Sequence, residues 1–184
     1  MKNVCVVAIG NVPAQILEWV ESVVVEWCPW PIRRLPGLEL PEGSYDARRA
    51  QYQSVEIMKA VARSRPNDAV RILGVTEVDL TIPMLTFVFG QAQLDGPVAV
   101  VSLCRLRQEF YGLPGEDGLL RERVVKEVLH ELGHTFGLTH CANSTCAMSL
   151  ATHINLVDKK EERYCADCGQ QMARRIAPLD GDPS

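Results

Sequence analysis

The chain has 184 residues, of which 47% are hydrophobic and 23% are charged, and its formal net charge is −4. This length is sufficient for one domain with a substantial core. The negative charge argues against nucleic acid or an anionic membrane as a partner, and no apolar run reaches the roughly 18 residues of a membrane span.

Strand-like and helix-like segments alternate in the first part of the chain. The strand candidates share short apolar runs: residues 4–9, 70–76, 87–91 and 98–103. The helix candidates share apolar residues at helical spacing: residues 15–27, residues 47–64 and a long helix that follows the loop at residues 112–118. A loop with a short strand is expected over residues 29–43, and a turn at Asp95-Gly96. This alternation predicts an α/β (mixed α+β) fold with a mostly parallel sheet.

The composition changes after Gly137, where the chain becomes polar and rich in cysteine. We expect one domain with two parts, an N-terminal subdomain of residues 1–137 and a smaller C-terminal subdomain of residues 138–184. Residues 180–184 are expected to be a frayed tail. The N-terminus lacks a convincing export signal, so the seven cysteines are expected to be reduced in a cytoplasmic protein.

Three of the four histidines lie close together in the sequence, at His130, His134 and His140. The run H-E-x-x-H places the first two on one face of a helix, and Gly137 can end that helix at positive φ so that His140 turns back. Three imidazoles with one open position are typical of catalytic zinc. Glu131 points away from these ligands and is suited to take a proton from zinc-bound water.

Ordinary surface or core histidines are the alternative for this cluster. Helical spacing tests it, because the apolar side chains of the predicted helix share the opposite face: Val124, Val125, Val128, Leu129, Leu132 and Phe136. Burial of the histidines as plain core residues is therefore disfavoured, and the helix is expected to form the floor of a cleft.

Four of the seven cysteines form two close pairs, Cys141-x4-Cys146 and Cys165-x2-Cys168. Two such pairs separated by a loop predict a tetrathiolate structural zinc site. Four free buried thiols or a redox C-x-x-C pair are the alternatives. The other cysteines lie in apolar contexts and are predicted to be small core residues: Cys5, Cys28 and Cys104.

The adjacency of His140 and Cys141 favours two zinc ions per chain. Neighbouring side chains diverge, so each would reach its own ion, with the two ions about 10–15 Å apart. The structural zinc would then stabilise the turn that carries the third histidine.

H-E-x-x-H-x-x-G-x-x-H followed by a methionine, here Met148, is the metzincin signature. The added H-C-x4-C-x-M and C-x-x-C elements make residues 130–168 resemble the archaemetzincins in particular. The resemblance implies a metzincin-like zincin with a twisted sheet, an active-site helix, a Met-turn beneath the catalytic zinc and a C-terminal helix. It also implies an antiparallel edge strand that aligns extended substrate, which we place near residues 87–91. A plain structural strand there, and core filling by Met148, are the alternatives.

The chain departs from some metzincins at Leu150, where they carry a tyrosine that stabilises the transition state, so no oxyanion stabiliser is identified. For the fourth histidine, His153, a surface position is favoured over the cleft. We expect a zinc metallopeptidase that acts on peptide or protein substrates, with Glu131 as general base. A zinc amidase or other hydrolase of a non-peptide substrate remains an alternative. So does an inactive zinc-stabilised interaction module, which the intact Glu131 disfavours. A monomer is compatible with the sequence, which does not determine the oligomeric state.

Overall fold

The computed structural model describes residues 1–180. In chain order the elements are β1 (Asn3–Ile9), α1 (Ala14–Trp27), β2 (Ile32–Arg34), β3 (Tyr45–Asp46), β4 (Gln51–Gln53), α2 (Ser54–Ser64), β5 (Ala69–Thr76), β6 (Leu80–Ile82), β7 (Leu85–Val88), β8 (Gly90–Ala92), β9 (Val98–Ser102), α3 (Asp117–Thr135), α4 (Ile154–Lys159) and α5 (Ala166–Asp180). A 3-10 turn over Gln108–Tyr111 precedes α3.

Five strands form the central sheet, in the order β2-β1-β5-β9-β8. The first three pairings are parallel, and only β8 runs antiparallel to its neighbour β9. The predicted mixed fold with a mostly parallel sheet is confirmed, and β8 is the antiparallel edge strand.

Both faces of this sheet are covered, which explains why its inner strands are continuous apolar runs. Side chains alternate between the faces. Val4 and Val6 of β1 pack in the core that contains α1 and α3. Cys5 and Val7 pack in a second core with α2. The helix α3 is therefore held directly beneath the sheet.

A second, four-stranded sheet with the order β3-β4-β6-β7 was not predicted. The predicted helix over residues 47–64 is wrong in its first part, because α2 begins only at Ser54. Ala50 has a φ of +53°, and the amide of Tyr52 donates to the carbonyl of Asp79. Tertiary strand pairing outweighs helical propensity here. The predicted strand over residues 87–91 also spans two elements, the end of β7 and the start of β8.

The helix α3 is buried over most of its length, on its polar side as well as its apolar side. Lys126, Glu127, His130 and Glu131 are all buried beside the predicted apolar face. The face that was expected to form an open cleft floor is therefore largely buried at these positions. Among the three remaining cysteines, Cys5 and Cys28 are core residues as predicted, whereas Cys104 is only half-buried.

The chain after α3 contains the short helix α4 and the C-terminal helix α5, as the resemblance implied. The expected tail begins at Asp180, which is the last residue of α5, and residues 181–184 lie outside the described part of the chain. None of the helices within residues 1–180 has both the length and the apolar character needed to cross a membrane.

Candidate metal and catalytic site

The three histidines meet at the C-terminal end of α3. His130 and His134 lie one turn apart on the helix, and their Nε2 atoms are 3.1 Å apart. One ring nitrogen from each of His130, His134 and His140 lies within 4.8 Å of the others. Tetrahedral zinc with bonds of about 2.0–2.1 Å separates its nitrogens by roughly 3.3 Å. The donor set and its spacing therefore fit a zinc ion.

In two of the three rings the nitrogen that points away from the cluster, Nδ1, is hydrogen-bonded to a backbone carbonyl. Nδ1 of His130 lies 2.9 Å from the carbonyl oxygen of Ala147, and Nδ1 of His134 lies 2.7 Å from that of Leu138. A carbonyl only accepts, so each Nδ1 carries the proton and donates it. This fixes the tautomer in which Nε2 has a free lone pair for a metal.

Burial also keeps these rings neutral. It is the largest cause that lowers the pKa of all three, most strongly for His130, and the positive charge of Lys160 acts in the same direction. A metal ion binds the neutral imidazole and not the positively charged imidazolium. The folded chain therefore presents the rings in the form that binds a metal.

Glu131 lies between the histidines on α3 and is 4% exposed. Burial, followed by the negative charge of Glu127, raises its pKa well above the ordinary value. Within the described residues its carboxylate has no hydrogen-bond donor from the protein, and it lines the cleft. A carboxylate without a protein partner can accept a proton from water, and a nearby divalent cation would favour its charged form.

The end of α3 delivers His140 through a Schellman motif. Gly137 adopts a φ of +84°, as predicted. Its amide donates to the carbonyl of His134, and the amide of Leu138 donates to that of Gly133. The carbonyl of His134 also accepts from the amide of Asp95, at 2.9 Å, in the turn between β8 and β9. The β8–β9 hairpin is thus hydrogen-bonded directly to His134, one of the three clustered histidines.

Met148 is fully buried and packs against α3 at Gly133, the residue before His134. Its thioether lies so close to Gly133 that a Cβ at that position would collide with the sulfur. The ring of Tyr164 adjoins the same glycine, and its hydroxyl donates to the carbonyl of Leu129 at 2.7 Å. Glycine at this place in the H-E-x-x-H run is therefore what lets the Met148 loop approach α3.

The four cysteines form a second cluster, with one sulfur from each of Cys141, Cys146, Cys165 and Cys168 within 4.8 Å of the others. The sulfurs of Cys141 and Cys165 are 3.8 Å apart, the separation of about 3.8 Å expected across a zinc tetrathiolate with bonds near 2.3 Å.

Backbone amides point at these sulfurs. Those of Met148 and Cys165 donate to Cys146, and that of Asn143 donates to Cys141. The amide of Cys168 is the main cause that lowers the pKa of Cys165. At Cys146 burial outweighs the two amides, and the pKa is raised. All four are free thiols rather than disulfides, so the cluster fits a structural zinc.

The cleft above the histidines has β7 and β8 as its wall. Its lining consists of residues 85–92, residues 150–152 and the side chains of Glu127, His130, Glu131, His134 and His140. Leu150 is 56% exposed there and offers no hydrogen-bond donor. His153 is exposed and does not line the cleft, as favoured from the sequence.

Sequence reasoning missed a buried charge pair beside His130. Lys160 Nζ lies 2.8 Å from Glu127 Oε1 and 3.4 Å from His130 Nδ1. Glu127 was within reach of a helical argument, since it precedes Glu131 by four residues and so shares its face. Lys160 follows α4, and no local pattern connects it to α3.

Comparisons with known proteins agree with this geometry. The profile described as peptidase family M54 matches residues 30–174. The archaemetzincin of Methanocaldococcus jannaschii is 39% identical over 176 residues, covering 94% of each chain. The crystal structure of archaemetzincin from Methanopyrus kandleri superposes with a TM-score of 0.83 at 37% identity and 96% coverage of both chains. That of a zinc-dependent peptidase from Methanocorpusculum labreanum gives 0.82 at 31% identity, covering 92% of this chain and 99% of the other.

The class that this fold and these matches define is the zinc-dependent metallopeptidases. Within it, the chain belongs to the archaemetzincins, peptidase family M54, as the motifs of residues 130–168 indicated.

Proposed function

We propose that the chain hydrolyses peptide bonds in an extended polypeptide held along β8, with His130, His134 and His140 as zinc ligands and Glu131 as general base. The observation that carries the proposal is the convergence of three neutral imidazoles beside a buried carboxylate without a protein donor, at the floor of one cleft. Inactive interaction modules have no need of such a carboxylate.

The zinc ion, when bound, supplies a Lewis acid that polarises a carbonyl and lowers the pKa of water. The residues of the chain do the rest. His130 and His134 are held in the metal-binding tautomer by the carbonyls of Ala147 and Leu138. The carboxylate of Glu131 accepts a proton from the attacking water and then donates it to the leaving amine. Leu150 leaves the cleft without a side-chain oxyanion donor at that position.

The free edge of β8 is the observation that supports an extended substrate lying along this strand. Phe89 and Gln93, one residue outside each end of β8, bond across to Ser102 and Val98. Hydrogen-bonding direction alternates along an antiparallel strand, so the peptide groups of Gly90 and Ala92 point away from β9. An extended substrate can add to the sheet there by backbone hydrogen bonds, as in β-augmentation.

We further propose a second, structural zinc bound by Cys141, Cys146, Cys165 and Cys168, which makes two ions per chain, and a Met-turn role for Met148. Residues 138–184 would then act as a zinc-stabilised C-terminal subdomain beside residues 1–137, since every strand of both sheets precedes residue 137. Seven free thiols favour the reducing cytoplasm as the location of the protein.

The test is digestion of an unbiased peptide library by zinc-loaded protein, with products read by mass spectrometry. Glu131→Gln is the matched control, because it keeps the shape and removes the base. We expect cleavage by the wild type and a loss of roughly 10²–10⁴-fold in the variant with zinc retained. Equal turnover by both proteins would contradict the mechanism.

A further inference from the structure

Gly90 is the residue of β8 that lies against Glu131. A Cβ built on Gly90 would lie 2.6 Å from Glu131 Oε1 and 2.7 Å from Glu131 Cγ, and also 2.7 Å from the carbonyl oxygen of Val100. These separations are shorter than real Cβ contacts. Any side chain at position 90 would therefore displace the carboxylate or the strand.

The backbone conformation of Gly90 does not itself call for glycine. The glycines with positive φ are at positions 10, 43, 112 and 137 among the described residues, and Gly90 lies in ordinary extended backbone. The requirement for glycine is therefore steric, and the space that it leaves is filled by the side chain of Glu131.

This contact matters because no hydrogen bond from the described residues fixes the carboxylate. Glu131 has no hydrogen-bond donor among the described residues, so its position is set by packing. Catalysis by a general base depends on placement, and an error of about 1 Å costs on the order of 10²-fold in rate. A side chain that is positioned by packing moves when a neighbouring residue such as Gly90 becomes larger.

The same residue also faces the substrate under the proposed function. The peptide groups of Gly90 point away from β9 and into the cleft, whereas its missing side chain points towards α3. A polypeptide bonded to Gly90 in the plane of the sheet therefore passes directly beside the carboxylate beneath that plane.

We propose that Gly90 is a positioning residue. Its lack of a side chain leaves the space that fixes the Glu131 carboxylate, and its backbone holds the scissile peptide bond next to that carboxylate. The proposal rests on the proposed function for its catalytic part. The contact between Gly90 and Glu131 can be tested without it.

The first test is a double-mutant cycle on the thermal stability of metal-free protein. Gly90→Ala should lower the melting temperature by about 5 °C, the scale of overpacking by one methyl group in a chain of this size. In a Glu131→Ala background the same change should cost clearly less, because the clash with the Glu131 side chain is removed while that with Val100 remains. Equal costs in both backgrounds would overturn the proposal.

The control for the cycle is Gly37→Ala, whose Cβ would meet its nearest neighbour, the carbonyl oxygen of Ala8, at an ordinary 3.7 Å. We expect it to leave the melting temperature nearly unchanged. If Gly90→Ala does not fold, the double variant Gly90→Ala/Glu131→Ala should fold. Failure of both would assign the clash to the strand and overturn the proposal.

The second test separates placement of the base from binding of substrate. In zinc-loaded Gly90→Ala we expect kcat to fall about 100-fold, with the zinc content unchanged and KM within about threefold. A raised KM with normal kcat would overturn the proposal, because it would make Gly90 a binding contact only. A wild type that cleaves no peptide would instead contradict the proposed function, and the stability cycle would still test the contact.

Discussion

Lys160 and Glu127 form an ion pair of 2.8 Å in which the lysine side chain is 0% exposed and the glutamate side chain 3% exposed. The ammonium group also lies 3.4 Å from Nδ1 of His130. Removing charges from water costs several kcal/mol each, and only their mutual attraction offsets that cost. The pair therefore joins the residue after α4 to α3, next to His130 of the candidate metal site.

Breaking this pair on one side should be more harmful than removing both charges. Lys160→Met leaves a buried, uncompensated carboxylate and should lower the free energy of unfolding by about 3–5 kcal/mol. The double variant Lys160→Met/Glu127→Gln should recover a large part of that loss. Urea denaturation of metal-free protein measures both values.

The exposed pair Arg163–Glu161 is the control. Removing it with Arg163→Met should change stability by no more than about 0.5 kcal/mol. If the double variant loses as much stability as Lys160→Met and Glu127→Gln lose together as single variants, the two side chains are not coupled.

Metal content should reveal two ions of different lability. Fully loaded protein should contain two zinc ions per chain, and a chelator should remove the ion of the open histidine site first. Labelling of thiols reports on the second ion, because Cys141, Cys146, Cys165 and Cys168 are protected while they bind zinc. Loss of one zinc should thus precede any new thiol labelling, as followed by elemental analysis and mass spectrometry. A single zinc in reduced, zinc-saturated protein would contradict the two-site proposal.

The cysteine cluster should support the histidine site at a distance. The amide of Cys141 donates to the carbonyl of Met148, and the cluster joins this turn to Cys168 of α5. Loss of supporting interactions commonly weakens metal binding by about 10–100-fold. Cys168→Ser should therefore weaken zinc binding at the histidines by that factor, measured by competition with a chromophoric chelator. Cys104→Ser, which changes a cysteine outside the cluster, should leave the affinity unchanged. A folded Cys168→Ser protein with wild-type affinity would show that the sites are independent.

Two glycines of α3 should respond to alanine in opposite directions. At Gly133 the new Cβ would collide with Met148, so Gly133→Ala should destabilise the protein by about 1–3 kcal/mol. At Gly118 a Cβ meets nothing within 4 Å, so Gly118→Ala should stabilise it by roughly 0.5–1 kcal/mol through helix propensity. Urea denaturation of both variants is the measurement. Two changes of the same sign would contradict the packing of Met148 against α3.

The clustering of the three histidines could be predicted because they lie close together in the sequence. Helical spacing relates His130 to His134, and Gly137 marks the turn to His140. The second sheet could not be predicted in this way. Its strands have two to four residues, and Gln51 is held in its strand by Asp79 and the carbonyl of Thr86. Such short strands carry too little periodicity to outweigh the apparent continuation of α2.

The contacts that tune the site were also hidden, since they join distant parts of the chain. Gly90 and Glu131 belong to different elements, and a glycine in a strand indicates only that something approaches closely. The pair Glu127–Lys160 joins α3 to the residue that follows α4. Sequence patterns indicate the candidate groups for the chemistry, whereas the atoms that set their positions appear only when the chain is folded.

The hydrogen bond from Asp95 to the carbonyl of His134 makes the β8–β9 hairpin a poor place for protein engineering. An exposed turn between two strands is normally where tags, inserted domains and new chain ends are tolerated. This turn instead joins the strand that would carry the substrate to the helix that carries the histidines. Lengthening it would separate two rigid parts whose alignment the cleft requires, so insertions belong elsewhere on the surface.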